Sequence, residues 1–166
     1  MKSSFLPLIV LVLVLSGCSA SSSTAKNEKK AAQYEEMVAL IDGGNYEYTA
    51  RSANPAGGKS VQITSSYSME AKDGVYKAYL PYFGRAYNAS YGGNGGVEFE
   101  GEPSDLSIAK DADKQSITIK FKIKNKDELY ECILLVHAGG NGTLTVSSSK
   151  RQNISYYGAV AESSKK

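Results

Sequence analysis

An all-β domain, an antiparallel barrel of about eight or nine strands with one N-terminal helix, is the fold class that three observations predict. Apolar residues recur at every second position through most of the chain beyond residue 44, the period of a half-buried strand. Gly, Asn, Asp and Pro punctuate these runs at close intervals, as turns in an all-β chain do. Twelve Tyr and sixteen Gly with no Trp join strand-favouring aromatics to turn formers.

The helix comes first. Over 27–42, Ala31, Tyr34, Val38 and Ile41 recur at steps of three and four with Met37 beside them, and Gly43-Gly44 supplies the stop. One apolar stripe on a short helix is expected to dock on the chain's own core. Strands follow at 46–53, with Tyr46, Tyr48 and Ala50 on one face, and at 59–65, with Val61 and Ile63 together. Asn54-Pro55 and Gly57-Gly58 separate the two. Tyr67, Met69 and Ala71 alternate up to Asp73-Gly74, a two-residue hairpin signal demanding positive φ, and 75–83 returns as the partner. Further strands are predicted at 97–100, 106–110, 116–124, 129–137 and 143–148, with turns at 111–114, 125–127 and 139–142.

Short sequential connections make neighbouring strands antiparallel, and about eight of them close into a cylinder wide enough for a core or one small ligand. A two-sheet sandwich is the alternative, because patterning does not separate it from a flattened barrel. The cleanest alternation places Ile117, Ile119, Phe121 and Ile123 inward and Lys120, Lys122 and Lys124 outward, where lysines guard a strand against edge pairing. Residues 129–136 are apolar at both parities around Cys132, so that strand is expected to be covered on both faces, the outer one by the helix.

The address lies at the N-terminus. Lys2 precedes an apolar run over 5–15, too short to span a bilayer and placed as the core of a secretory signal. Leu15-Ser16-Gly17-Cys18 resembles the lipobox of bacterial lipoproteins, in which the cysteine sulfur takes a diacylglycerol and becomes the mature N-terminus. The organisation that follows is a signal peptide over 1–17, a lipidated tether over 18–26 and one domain over 27–166, with its helix at 27–42 and its barrel at 45–158. The membrane is then a partner through the lipid on Cys18. Ser19, with no acidic run after it, resembles outer-membrane lipoproteins that face the periplasm.

Charge and cysteine usage exclude several classes. Without Lys2, eighteen basic residues stand against seventeen acidic ones, so net charge favours neither nucleic acid nor an anionic membrane surface. With Cys18 lipidated, Cys132 has no partner for an intramolecular disulfide. Mid-strand among Ile133, Leu134 and Leu135, it reads as an inert core thiol. His137 is the only histidine and stands at the wrong parity from Cys132 to share a metal. No strand-turn-helix elbow surrounds any serine, which speaks against nucleophilic hydrolysis. Glu98, Glu100 and Glu102 share a face opposite Val97 and Phe99. Paired carboxylates are what glycosidases use, but alternation already accounts for these as solvated outer residues. No catalytic residue, metal or cofactor is expected.

One stretch breaks the alternation. Tyr79, Tyr82, Phe83, Tyr87 and Tyr91 crowd around Arg85, and Gly92-Gly93 and Gly95-Gly96 follow. Amphipathic rings with a guanidinium at a barrel mouth suit a small ligand or glycan, and the same residues equally suit a corner that closes the barrel. A third reading has the aromatic surface meet another envelope protein.

The segments Asn54-Pro55 with Gly57-Gly58, Tyr79-Leu80-Pro81-Tyr82-Phe83-Gly84-Arg85-Ala86-Tyr87, Tyr91-Gly92-Gly93, Gly95-Gly96-Val97-Glu98-Phe99 and Arg151-Gln152-Asn153-Ile154-Ser155-Tyr156-Tyr157-Gly158 resemble a domain-of-unknown-function family of small exported gram-negative lipoproteins. The resemblance spans most of 46–158. It implies a calycin-like, lipocalin-type antiparallel barrel and no activity.

Overall fold

The computed structural model of the protein describes residues 21–85 and 95–163. Helix α1 spans Ser21–Asp42, six residues longer at its N-terminus than the stripe predicts, and residues 21–26, read as tether, belong to it. The stripe marks only the part that packs: Tyr34, Met37 and Ile41 are buried and Val38 is half-buried, while residues 25–32 are exposed. Once the packed half is fixed, Ala, Lys and Glu, which favour helix, extend it without a new nucleation step. Gly43 N–H donates to Ala39 O (3.0 Å), and Gly44 N–H to Ile41 O (3.1 Å), ending the helix.

Ten strands follow among the described residues: β1 (Tyr46–Pro55), β2 (Val61–Gln62), β3 (Ser68–Lys72), β4 (Val75–Leu80), β5 (Val97–Gly101), β6 (Ser104–Asp111), β7 (Ser116–Asn125), β8 (Glu128–His137), β9 (Asn141–Ser148) and β10 (Ile154–Glu162). Nine of them form one antiparallel sheet in the order β5-β4-β3-β1-β10-β9-β8-β7-β6, and β2 pairs only with β1. The sheet curls into an open half-barrel. The Asp73-Gly74 hairpin forms as predicted, with both residues at positive φ (51° and 82°).

Three expectations are corrected. The strand expected over 59–65 shrinks to β2, two residues long. β10, which alternation over 143–148 stops short of, joins β1 to β9 and makes the sheet continuous. Its apolar row, Ile154, Tyr156 and Val160, is interrupted by Gly158 because the ring of Tyr48 occupies that place: a Cβ on Gly158 would stand 2.1 Å from Thr49 O and 2.9 Å from Tyr48 Cζ. Finally, the outer face of β8 is not covered by the helix. Leu129 (44% exposed) and Ile133 (42%) are open to solvent, since α1 puts its stripe into the same core as the inner face of the sheet.

The sheet is single, so the sandwich does not form. The closed cylinder is not completed either, because the edge strands β5 and β6 share no ladder. With nine antiparallel strands in the path, the two edge strands run in the same direction, and only Glu102 and Pro103 separate them in sequence. They therefore act as one bent strand whose first part pairs with β4 and whose second part pairs with β7. Side chains cross the gap where backbone does not. Asn125 Nδ2 donates to Glu98 O (2.6 Å), and Phe99 meets Phe121 and Tyr130 with ring centroids 6.1 and 5.8 Å away.

Register gives the half-barrel two ends. The near end holds the start of β1, the Asp73-Gly74 turn, the β6–β7 and β8–β9 turns and the end of β10. The far end holds residues 81–85, the start of β5, and the β7–β8 and β9–β10 turns. Between them Tyr46, Tyr48, Tyr156, Phe121, Met69, Leu80, Ile117, Ile119, Leu134 and Leu144 are fully buried. Their hydroxyls are used as well: Tyr46 and Tyr76 share a bond (3.1 Å), Tyr48 donates to Tyr156 O (2.7 Å) and Tyr156 to Pro81 O (2.8 Å). The interior is occupied by the chain's own tyrosines.

Candidate functional site

The segments that break alternation meet at the far end. Leu80 ends β4 inward, and the chain then turns over the rim through Pro81 to Arg85. Tyr82 anchors that turn. Its hydroxyl lies 2.9 Å from the carbonyl oxygens of both Arg85 and Gln152 and shares its proton between them. Gln152 N–H donates to Arg85 O (3.1 Å), and Arg85 N–H reaches Gln152 Oε1 (3.5 Å).

Arg151 is the centre of the cluster. Its Nε and Nη2 take Glu128 in a fork at 3.0 and 3.1 Å, and Nη1 donates to Gly96 O (2.6 Å) and Gly95 O (3.4 Å). The guanidinium carbon stands 5.3 Å from the centroid of the Tyr82 ring. Ser148 Oγ donates to Glu128 Oε1 (2.5 Å). Both members of the pair are largely covered, with side chains 19% and 11% exposed. Burial alone raises the Glu128 pKa, but the bonds from Ser148, Arg151 and Tyr130 and the arginine charge outweigh it, so the carboxyl sits below its usual value of 4.5. The carboxylate is thus ionised and clasped, and one side chain ties the turns before β5, β8 and β10 together.

The residues proposed for binding divide. Tyr82 is a structural anchor, engaged from several sides. Tyr79 (53% exposed) and Phe83 (46%) present their rings to solvent, and the guanidinium of Arg85 is exposed with no partner among the described residues. Tyr79 stacks on Tyr67, centroids 5.4 Å apart and planes at 25°. Tyr87, Tyr91 and the lipidation candidate Cys18 lie outside the described residues. Arg151, Glu128 and Gln152 were not singled out by sequence reasoning, although Arg151-Gln152 stands in a segment carrying the family resemblance. One signal was available: Glu128 shares parity with Tyr130, Cys132, Leu134 and Val136, and a carboxylate on an inward row requires a partner.

No catalytic set assembles among the described residues. Burial pushes the Cys132 thiol far above its usual pKa, which removes its reactivity. Asp111, Ser116 and His137 do face one another across β6, β7 and β8, beside an open groove of about 620 Å³ at the near end. The serine, not the histidine, is in the middle, and Asp111 is held by Lys114 (2.8 Å), so no acid–imidazole–hydroxyl relay exists. No group of three His, Cys, Asp or Glu side chains gathers among the described residues to hold a metal. No helix among them is long and apolar enough to cross a membrane.

The segments that the clasp joins, at 81–85, 95–99 and 151–153, are those on which the family resemblance rests, and a family model for a domain of unknown function, DUF4251, matches residues 28–160. The chain belongs to the DUF4251 family. The crystal structure of a DUF4251 family protein from Bacteroides eggerthii is similar in fold, with a TM-score of 0.61 over 80% of this chain and 89% of that one at 21% identity. No curated protein matches the chain. The DUF4251 match runs from residue 28 in α1 through β9 and into β10 as far as residue 160.

Proposed function

We propose that this DUF4251 protein is a non-enzymatic envelope module, held to the outer membrane by lipid on Cys18 and facing the periplasm, whose far end binds a small ligand or glycan. The observation that carries the reading is the division of labour within 79–85. Tyr82 is pinned by Gln152 and Arg151, and this fixes the backbone from which Tyr79, Phe83 and Arg85 project into solvent. Rings that only closed a corner would be covered. Rings held outward on a fixed backbone have already lost much of the freedom that binding would otherwise remove. The β5–β6 continuity supports reading the half-barrel as a calycin variant with its seam there, although the tyrosine-filled interior directs recognition to the rim rather than to a lumen.

A domain beginning after Cys18, screened by calorimetry against envelope glycans and amphiphiles, is expected to bind one of them and to lose it in Phe83→Ser or Arg85→Ala. Absence of any binder, or binding indifferent to both changes, contradicts the reading. Leu129 and Ile133 on the uncovered face of β8, with Tyr157 (45% exposed) on β10, favour a second reading: contact with another envelope protein. Crosslinking in intact cells distinguishes the two by returning one stoichiometric protein partner only under the second.

A further inference from the structure

The N-terminal half of α1 stands clear of the body. Residues 25–32 are all exposed, and the buried stripe begins only at Tyr34. A helical segment this short gains little from propensity alone, so opposition among its own side chains is felt. Lys26 stands three residues before Lys29 and four before Lys30, the spacings at which like charges meet on one helix face and destabilise it. No acidic residue lies three or four positions from any of these lysines, and none lies between Cys18 and Glu28. At 3.6 residues per turn the three ammonium groups share an arc of about 100°, and Glu28 falls on the opposite side. None of the three has an ion pair among the described residues. Like charges gathered on one face of an uncovered helix point to a counter-charge outside the chain.

The position of the face says which counter-charge it meets. Only Ser19 and Ala20 separate Cys18 from the start of α1 at Ser21, a span of at most about 11 Å. Lys26 and Lys30 follow at about 8 and 14 Å from Ser21 along the helix axis. We infer that the Lys26, Lys29 and Lys30 face of α1 docks on the anionic phospholipid headgroups around the anchor. This rests on the reading of Cys18 as lipidated and adds a second membrane contact to it. Electrostatic attraction fades over a Debye length of about 8 to 10 Å, so an upright helix leaves Lys30 out of reach and an inclined one brings all three lysines to the headgroups. The face therefore sets the tilt of α1. Because Tyr34, Met37 and Ile41 join the core, the domain tilts with it. Overall charge does not produce this attraction, since without Lys2 eighteen basic residues stand against seventeen acidic ones; a local face does, at about fivefold in partition for each lysine brought to an anionic surface.

The experiment is sedimentation of the chain from Ser19 to Lys166, which holds every described element and carries no lipid, with vesicles of phosphatidylglycerol and phosphatidylethanolamine and with vesicles of phosphatidylcholine alone. The chain is expected to partition onto the anionic vesicles, less so as salt is raised, and not onto the neutral ones. Lys26→Gln, Lys29→Gln and Lys30→Gln together should lower that partition at least tenfold. The same loss of charge elsewhere, by Lys59→Gln, Lys120→Gln and Lys124→Gln, three exposed lysines without an ion pair among the described residues, should leave it within twofold. Melting excludes a folding effect: removing like charges from the face is expected to leave Tm unchanged or raised. Equal partition onto both kinds of vesicle, an equal loss in the two triple variants, or a change below threefold in the α1 variant overturns the inference. Retention on poly-glutamate that is lost in the α1 variant, with no vesicle binding, overturns it in favour of an acidic protein. Mass spectrometry of the N-terminal peptide from membranes of cells making the whole chain tests the anchor separately. A lipidated Cys18 without vesicle binding overturns the docking face and leaves the anchor standing. An unmodified Cys18 with vesicle binding intact contradicts the anchor and supports the docking face.

Discussion

The two ends of the half-barrel are finished by different physics. At the near end, α1 buries Tyr34, Met37 and Ile41 against the sheet, and Met37 Cε comes within 3.4 Å of where a Cβ on Gly140 would stand. The charged contacts there, Asp42 with Lys110 at 2.7 Å and Asp111 with Lys114 at 2.8 Å, lie largely in solvent and add little. At the far end an arginine–glutamate fork, a tyrosine hydroxyl and backbone carbonyls hold three turns together. An apolar seal tolerates change of shape and is indifferent to pH. A polar clasp fixes backbone positions closely and depends on charge. The exposed rings of Tyr79 and Phe83 are found at the clasped end, where a fixed backbone is of use.

The comparison can be broken at either end. The largest effect is expected from Ile41→Ala, which removes a side chain 1% exposed and should lower unfolding free energy by about 4 kcal/mol in urea titration. Arg151→Met should follow at about 3 kcal/mol, because it leaves Glu128 covered and unpaired; Arg151→Met with Glu128→Leu should recover part of that loss. Tyr82→Phe, which keeps the ring against Arg151 and deletes the shared proton, should take away about 1 kcal/mol. Chemical denaturation curves of the three variants give the order directly.

Alkali sharpens the contrast in a third place, the core between the ends. Burial raises the pKa of Tyr46, Tyr48, Tyr130 and Tyr156 well above the ordinary value of 10.0. A group whose folded pKa is raised contributes stability that is complete below its unfolded value and declines as pH rises beyond it. The domain is therefore expected to lose stability above about pH 10, measured as a falling Tm, and Arg151→Met should lose at least as much, because the arginine charge holds the Tyr130 and Tyr156 values down.

What was legible in the sequence follows the same division. Apolar seals are written in periodicity, so the stripe of α1, the inward row of Ile117 to Ile123 and the Asp73-Gly74 hairpin could be read residue by residue. The β10 row could not, because Gly158 stands where Tyr48, from a strand more than a hundred residues earlier, fills the space. The N-terminal turns of α1 have no apolar face to read. The clasp has no period at all: Glu128 and Arg151 are joined only through the turn after β9 and the rim before β5. Tyr79 and Arg85 were visible as a dense aromatic stretch, but which ring anchors and which is displayed depends on Gln152, a contact that spacing does not encode.

The most direct test of the clasp is the acid dependence of stability, measured by urea unfolding at pH 7 and at successive values down to pH 3. The pKa of Glu128 is lowered on folding, so its contribution is complete above the unfolded value near 4.5 and disappears as pH falls through the folded one. The wild type should lose stability over that window, and the Arg151→Met with Glu128→Leu variant should lose distinctly less. Identical acid profiles for the two proteins would contradict the claim that this ion pair holds the far end.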